Sequence, residues 1–104
     1  MKFVLYSKNN CPHCVEAKRK VTDHAEKYAT KEDKEIVDIF YVDSDPSKKD
    51  ELLDRIRDIG LAPPRTVPQI FYRENKDSDW EYVGSNSDLG RFLKRKVEEI
   101  YNVI

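Results

Sequence analysis

Apolar positions recur along the chain in two rhythms. Phe3 to Tyr6 is a short apolar run of β-prone residues and predicts a buried strand. From Pro12 the spacing changes. Cys14, Ala17, Val21, Ala25 and Tyr28 fall three and four apart on one helical face, and charged residues such as Glu16, Lys18 and Arg19 fill the rest. Thr30 to Glu35 is charged and predicts a loop. Ile36 to Val42 is the strongest strand signal, rich in β-branched and aromatic residues, and it ends at Asp43-Ser44-Asp45-Pro46. Pro46 or Ser47 opens a second helix, with Ser47 and Asp50 at the spacing of a capping box. Leu52, Leu53, Ile56 and Ile59 form its apolar face, and Gly60 stops it. After a loop over Leu61 to Pro64, Gln69 to Tyr72 and Trp80 to Val83 predict two short strands. The polar stretch Arg73 to Asp79 joins them as a wide hairpin. Ser85 or Asn86 caps a last helix, whose stripe is Leu89, Phe92, Leu93, Val97 and Ile100.

The predicted order is strand–helix–strand–helix–strand–strand–helix. Two strands joined through a helix run parallel with a right-handed crossover. The last two form an antiparallel hairpin. The expected architecture is an α/β fold: one four-stranded mixed sheet with helices on both faces.

Composition narrows the setting. A chain of 104 residues is one domain's worth, so a single domain over 1–104 is expected. Hydrophobic residues make up 38% and charged residues 38%, a balance that suits a charged-surfaced globule. The formal net charge of −1 gives no global attraction to nucleic acid or an anionic membrane. No apolar run approaches the roughly 18 residues of a membrane span. The N-terminus lacks a signal peptide's h-region and cleavage site, so a cytoplasmic location is expected, in a compartment that keeps thiols reduced; a monomer is also expected. There, two cysteines three residues apart suggest redox catalysis or metal binding rather than a structural staple.

The chemistry centres on Cys11-Pro12-His13-Cys14, where a strand ends and a helix begins. The free N–H groups and the macrodipole of a helix start favour an anion, so the Cys11 thiolate is stabilised there. Pro12 suits the first helical position, where its missing N–H costs nothing. Cys14 follows one turn later, close enough for the sulfurs to join. Cys11 is expected to be the more exposed and Cys14 the more buried. Zinc needs about four ligands. Beyond the cysteines only His13 and His24 are available; His13 lies awkwardly between them, and His24 falls on the edge of the first helix's apolar face.

Three blocks in order resemble the glutaredoxin family over nearly the whole length: Tyr6 to Cys14, Arg65-Thr66-Val67-Pro68-Gln69-Ile70-Phe71, and Val83 to Leu89. The charged, helix-extended style resembles the small glutaredoxins of large bacteriophages. The resemblance implies a thioredoxin-like fold and a glutathione site. Lys8 resembles the family lysine that meets a glutathione carboxylate. Thr66-Val67-Pro68 resembles the loop with a cis proline, in which Val67 pairs its backbone with the tripeptide. Ser87 and Asp88 resemble the residues that bind the γ-glutamyl end, with Asp88 meeting the α-ammonium. The contact from the second helix does not align, and Arg55, Arg57 and Arg65 are its candidates. His13 stands where the family often has Tyr; protonated, it would attract the Cys11 thiolate and raise the reduction potential. Gly84-Ser85 replaces the usual Gly-Gly.

The resemblance implies glutathione-dependent reduction of protein disulfides and glutathione mixed disulfides, with glutathione as reducing co-substrate and no permanently bound cofactor. Ribonucleotide reductase is the client it suggests. The alternatives are a thioredoxin served by its flavoenzyme, a DsbA-like oxidant and an iron–sulfur-bridging carrier. Trp-Cys-Gly-Pro-Cys is absent, as are a signal peptide and an inserted helical domain, and the carriers tend to lack Pro12.

Overall fold

The computed structural model describes residues 1–29 and 36–101; the loop expected over 30–35 lies outside them. The described elements follow the expected order: β1 (Lys2–Ser7), α1 (Pro12–Tyr28), β2 (Val37–Tyr41), α2 (Pro46–Asp58), β3 (Gln69–Arg73), β4 (Glu81–Gly84) and α3 (Asn86–Tyr101). They build one four-stranded mixed sheet in the order β2-β1-β3-β4. β1 pairs parallel with β2 and antiparallel with β3, and β3 pairs antiparallel with β4. This is the thioredoxin-like arrangement.

The central position of β1 follows from its sequence. Side chains alternate across a strand, and both faces of β1 are apolar. Phe3 and Leu5 pack with Ile70, Tyr72, Val21 and Leu89 under α1 and α3. Val4 and Tyr6 pack on the opposite face with Phe71, Leu52 and Ile56 under α2. Helices therefore cover both faces. The Tyr6 hydroxyl donates to Glu51 Oε1 at 2.7 Å, anchoring α2 to the sheet centre. Burial, then the Glu51 carboxylate, pushes the Tyr6 phenol well above its ordinary pKa.

The segment with the strongest strand signal forms β2 as expected, at the edge of the sheet and partly buried. Its β-branched and aromatic residues report strand propensity, not depth. Two expectations about the helices need correction. Ser47 and Asp50 do not cap α2. Asp45 does, accepting from the Ser47 N–H at 3.1 Å and the Ser47 hydroxyl at 2.6 Å, because Pro46 takes the first helical position and has no N–H to satisfy. Ile59 and Ile100, assigned to apolar faces, are both 48% exposed. Ile59 lies past the end of α2, which Gly60 terminates with φ 81°.

Candidate active site

Parallel strands deliver their following helices to the same edge of a sheet. β1 and β2 both end at this edge, so α1 and α2 both begin there. The two strand-to-helix turns are clasped together. Asn9 donates from its backbone N–H to Asp43 Oδ2 at 3.0 Å, and from its side-chain amide to Asp43 Oδ1 at 3.2 Å and Ser44 Oγ at 2.7 Å. Asn10 then turns the chain with φ 55°, a left-handed conformation that Asn tolerates better than most residues.

That turn places Cys11 as the N-cap of α1. The Cys14 backbone N–H donates to Cys11 Sγ at 3.2 Å. A sulfur in the capping position takes up an N–H that the helix cannot otherwise satisfy, which favours its anionic form. Cys11 and Cys14 are joined as a disulfide, with Cα atoms 5.2 Å apart. The expected asymmetry of exposure does not hold: Cys11 is 6% exposed and Cys14 5%. Cys11 is covered because its Sγ lies 3.9 Å from the Val67 carbonyl oxygen, under the Thr66–Pro68 turn. What distinguishes the two is access. Cys11 lines the large groove described next, and Cys14 does not.

The Val67–Pro68 bond is cis. Gln69, 4% exposed, braces this turn from below: its Nε2 donates to Thr66 O at 2.9 Å, while the Tyr82 hydroxyl donates to Gln69 Oε1 at 2.5 Å. Sequence reasoning took Gln69 for an ordinary strand residue; a polar side chain heading a strand whose next three residues are apolar was the signal.

A groove of about 740 Å³ opens beside Cys11, with Thr66 to Pro68 as one wall and Pro12 and His13 at its mouth. Lys8, Arg65 and Ser87 line it. Of the three arginines considered for the second-helix contact, only Arg65 reaches the groove. Arg55 pairs with Glu51 and stacks 5.0 Å from the Trp80 ring, and Arg57 pairs with Asp54. The cation that α2 contributes is Lys49, in its first turn. The first turn of a helix that follows a parallel strand faces the site, and Arg55 and Arg57 lie two turns further along.

Asp88 does not line the groove. Its Oδ2 accepts from the Ser85 N–H at 3.0 Å and the Ser85 hydroxyl at 2.9 Å, and its Oδ1 from Arg91 at 2.6 Å. The Ser85 N–H, then its hydroxyl, hold the Asp88 carboxyl below the usual range. Asp88 thus ties Ser85, the residue before α3, to the helix's first turn. Gly84 makes room for it. At φ 111°, a Cβ on Gly84 would sit 2.4 Å from Asp88 Oδ2.

A cysteine pair that can open and close at a helix start, facing a cis-proline turn, is equipped for thiol–disulfide exchange. This defines the chain as a thiol–disulfide oxidoreductase of thioredoxin-like fold. Comparison with known proteins narrows the class. The glutaredoxin family model matches residues 3–76. Reduced Escherichia coli glutaredoxin is 28% identical, with TM-score 0.61, covering 94% of this chain and 99% of that one. The dithiolic glutaredoxin of Trypanosoma brucei brucei is also 28% identical, with TM-score 0.58, covering 91% of this chain and 79% of that one. Glutaredoxin 1 of Francisella tularensis, at 23% identity and TM-score 0.55 over 93% of this chain and 96% of that one, shares the fold. No curated protein sequence matches the chain. The chain belongs to the glutaredoxin family.

Proposed function

We propose that this protein is a dithiol glutaredoxin that uses glutathione to reduce protein disulfides and glutathione mixed disulfides. The observation that carries this reading is the cationic groove beside Cys11. Lys8, Lys49 and Arg65 line a trough that also holds the Val67 backbone and the start of α3. Glutathione carries two carboxylates and an extended backbone, which suits cations along a wall, one β-like pairing segment and a helix N-terminus. In this reading Lys8, Lys49 and Arg65 meet the glycine end, Val67 pairs with the cysteinyl backbone, and Ser87 with the free N–H groups of α3 meets the γ-glutamyl end. Asp88 supports that end by holding the cap, and the α-ammonium approaches its carboxylate from outside.

The exchange runs through thiolates. Cys11 Sγ attacks one sulfur of a client disulfide; the other leaves as a thiolate and takes a proton. Cys14 Sγ then attacks Cys11 Sγ, releasing the second client thiolate and closing the Cys11–Cys14 disulfide. Two glutathione molecules reopen it in two displacements and leave as glutathione disulfide. Pro12 keeps the helix start free of a competing N–H, and His13 sits at the groove mouth. The reading places the protein in the cytoplasm, where a reduced glutathione pool drives the cycle.

Cys11→Ser is expected to abolish all exchange. Cys14→Ser is expected to lose reduction of protein disulfides and keep deglutathionylation, which needs one thiolate. A coupled assay with glutathione and glutathione reductase, run beside thioredoxin reductase, checks both the residues and the reductant. Turnover with thioredoxin reductase alone overturns the reading.

A further inference from the structure

A second cavity, of about 250 Å³, lies on the α1–β2 side of the cysteine pair. It is lined by Cys11, Cys14, Val15, Lys18 and Tyr41 among others, and shares Lys8 with the glutathione groove. Two large apolar side chains stand exposed beside its polar lining. Val15 is 69% exposed and Tyr41 41%, with the half-buried Ile39 between strand and cavity. Val15 and Lys18 are one turn apart on α1, so they face the same way.

The charge around this rim is one-sided. No carboxylate lines the cavity among the described residues. The side chains of Lys8 and Lys18 make no ion pair, hydrogen bond or ring contact among the described residues, and the same holds for Lys49 and Arg65 in the groove. Cations elsewhere are mostly neutralised: Lys2, Lys20 and Lys48 each hold a carboxylate. Outside the two cavities the described cations without a carboxylate are Lys27, Arg73 and Arg95, which lie over aromatic rings, and Lys76 and Lys94; none of the five lines either cavity. In a chain of net charge −1, unpaired lysines beside two exposed apolar side chains and a reactive sulfur form a local patch of defined chemistry.

We infer that this cavity is the docking site for the protein client, and that the client carries acidic residues and a large apolar residue beside its disulfide cysteine. The inference rests on the glutaredoxin reading above and adds the client's chemistry to it. The client cysteine bonds to Cys11, which belongs to both cavities. The neighbouring apolar side chain enters between Val15 and Tyr41, and the acidic residues face Lys8 and Lys18. Glutathione keeps the larger groove. Two substrates thus reach one sulfur from separately built sides.

The test uses two synthetic peptides, each closed by one internal disulfide, with Leu beside one cysteine. One carries flanking Glu, the other flanking Lys. Hydroxyethyl disulfide, too small to reach the cavity, serves as control. Reduction by the full chain is followed with glutathione and glutathione reductase at low and high salt. The wild type is expected to favour the Glu peptide by about tenfold in kcat/KM at low salt, with the preference shrinking at high salt. Lys18→Glu is expected to abolish or reverse the preference, and Val15→Ser to slow both peptides several-fold. Neither is expected to change hydroxyethyl disulfide turnover more than about twofold, since surface changes away from a site are nearly neutral. A preference that persists in Lys18→Glu, or equal rates for both peptides with wild type, overturns the docking site. A wild-type dimer that Lys18→Glu converts to monomer, with peptide rates unchanged, gives the patch to a second copy of this chain and also overturns it. Failure to turn over hydroxyethyl disulfide overturns the glutaredoxin reading itself.

Discussion

Gln69→Leu separates the brace of the cis-proline turn from the turn itself. Leucine has nearly the same size but loses both the donor to Thr66 O and the acceptor for the Tyr82 hydroxyl. Each hydrogen bond has a net worth of about 0.5–1.5 kcal/mol. Both freed partners reach water, because Thr66 is exposed and Tyr82 is 37% exposed. The buried position also gains an apolar side chain. The stability loss is therefore expected at about 1–2 kcal/mol, or roughly 5–15 °C in Tm for a domain of this size. The functional effect is separate. Without the brace the Thr66–Val67 backbone must be ordered when glutathione pairs with it, which costs about 0.5–1.5 kcal/mol. That corresponds to about a 2- to 10-fold higher KM for glutathione. Tyr82→Phe removes only the outer half of the relay and is expected to move KM in the same direction by less. The assay is turnover of hydroxyethyl disulfide at varied glutathione, with a thermal melt of each variant. A lowered Tm with unchanged glutathione KM refutes the reasoning, because it leaves Gln69 as a core residue without influence on the groove.

Three further outcomes follow from the site and its supports. Lys49→Ala is expected to raise the glutathione KM about two- to fivefold, the range of an exposed charge contact, whereas Arg57→Ala leaves it unchanged; steady-state kinetics distinguish them. Gly84→Ala places a Cβ against Asp88 Oδ2 at a left-handed φ, so strain and a lost cap together are expected to cost about 2–4 kcal/mol in urea unfolding. His24 is buried, and desolvation holds its pKa below the ordinary 6.5. Its folded form prefers to be neutral, so stability is full above pH 6.5 and falls as pH drops below it; between pH 7.5 and 5.5 the Tm of wild type is expected to fall more than that of His24→Phe.

The sequence carried the element order well because each element was coded twice. β1 showed its burial by being apolar on both faces, and α1 showed its orientation by the three-and-four spacing of Cys14, Ala17, Val21 and Ala25. The cysteine pair was legible because helix-start chemistry is local: Cys11, Pro12 and Cys14 occupy positions fixed by the first turn alone. Features set by tertiary neighbours were not legible. Cys11 is covered by Val67, which is 56 residues away in sequence. Lys49 faces the groove because β1 and β2 end at one edge, a fact of topology that no window of residues contains. That Asp88 is held by Ser85 and Arg91 shows only once those partners are seen on its oxygens. That β2 lies at the edge was not legible, because aromatic and branched residues favour a strand at the edge as at the centre.

The place of β1 also sets how the molecule carries force. The chain enters β1 from Met1 at one end and reaches Cys11 four residues beyond Ser7 at the other, so about 20 Å of strand separates Met1 from the turn that carries the sulfur. A client held as a mixed disulfide on Cys11 and pulled away, with the protein tethered through Met1, loads β1 along its own length. The already extended backbone of β1 then carries the load covalently from Met1 to Cys11, and the pairing with β2 and β3 is not asked to part. A tether through α3 instead puts the packed elements between Cys11 and Asn86 in the line of force. For measuring disulfide reduction under tension, anchorage through the first strand is the geometry in which the sulfur–sulfur bond gives way before the fold does.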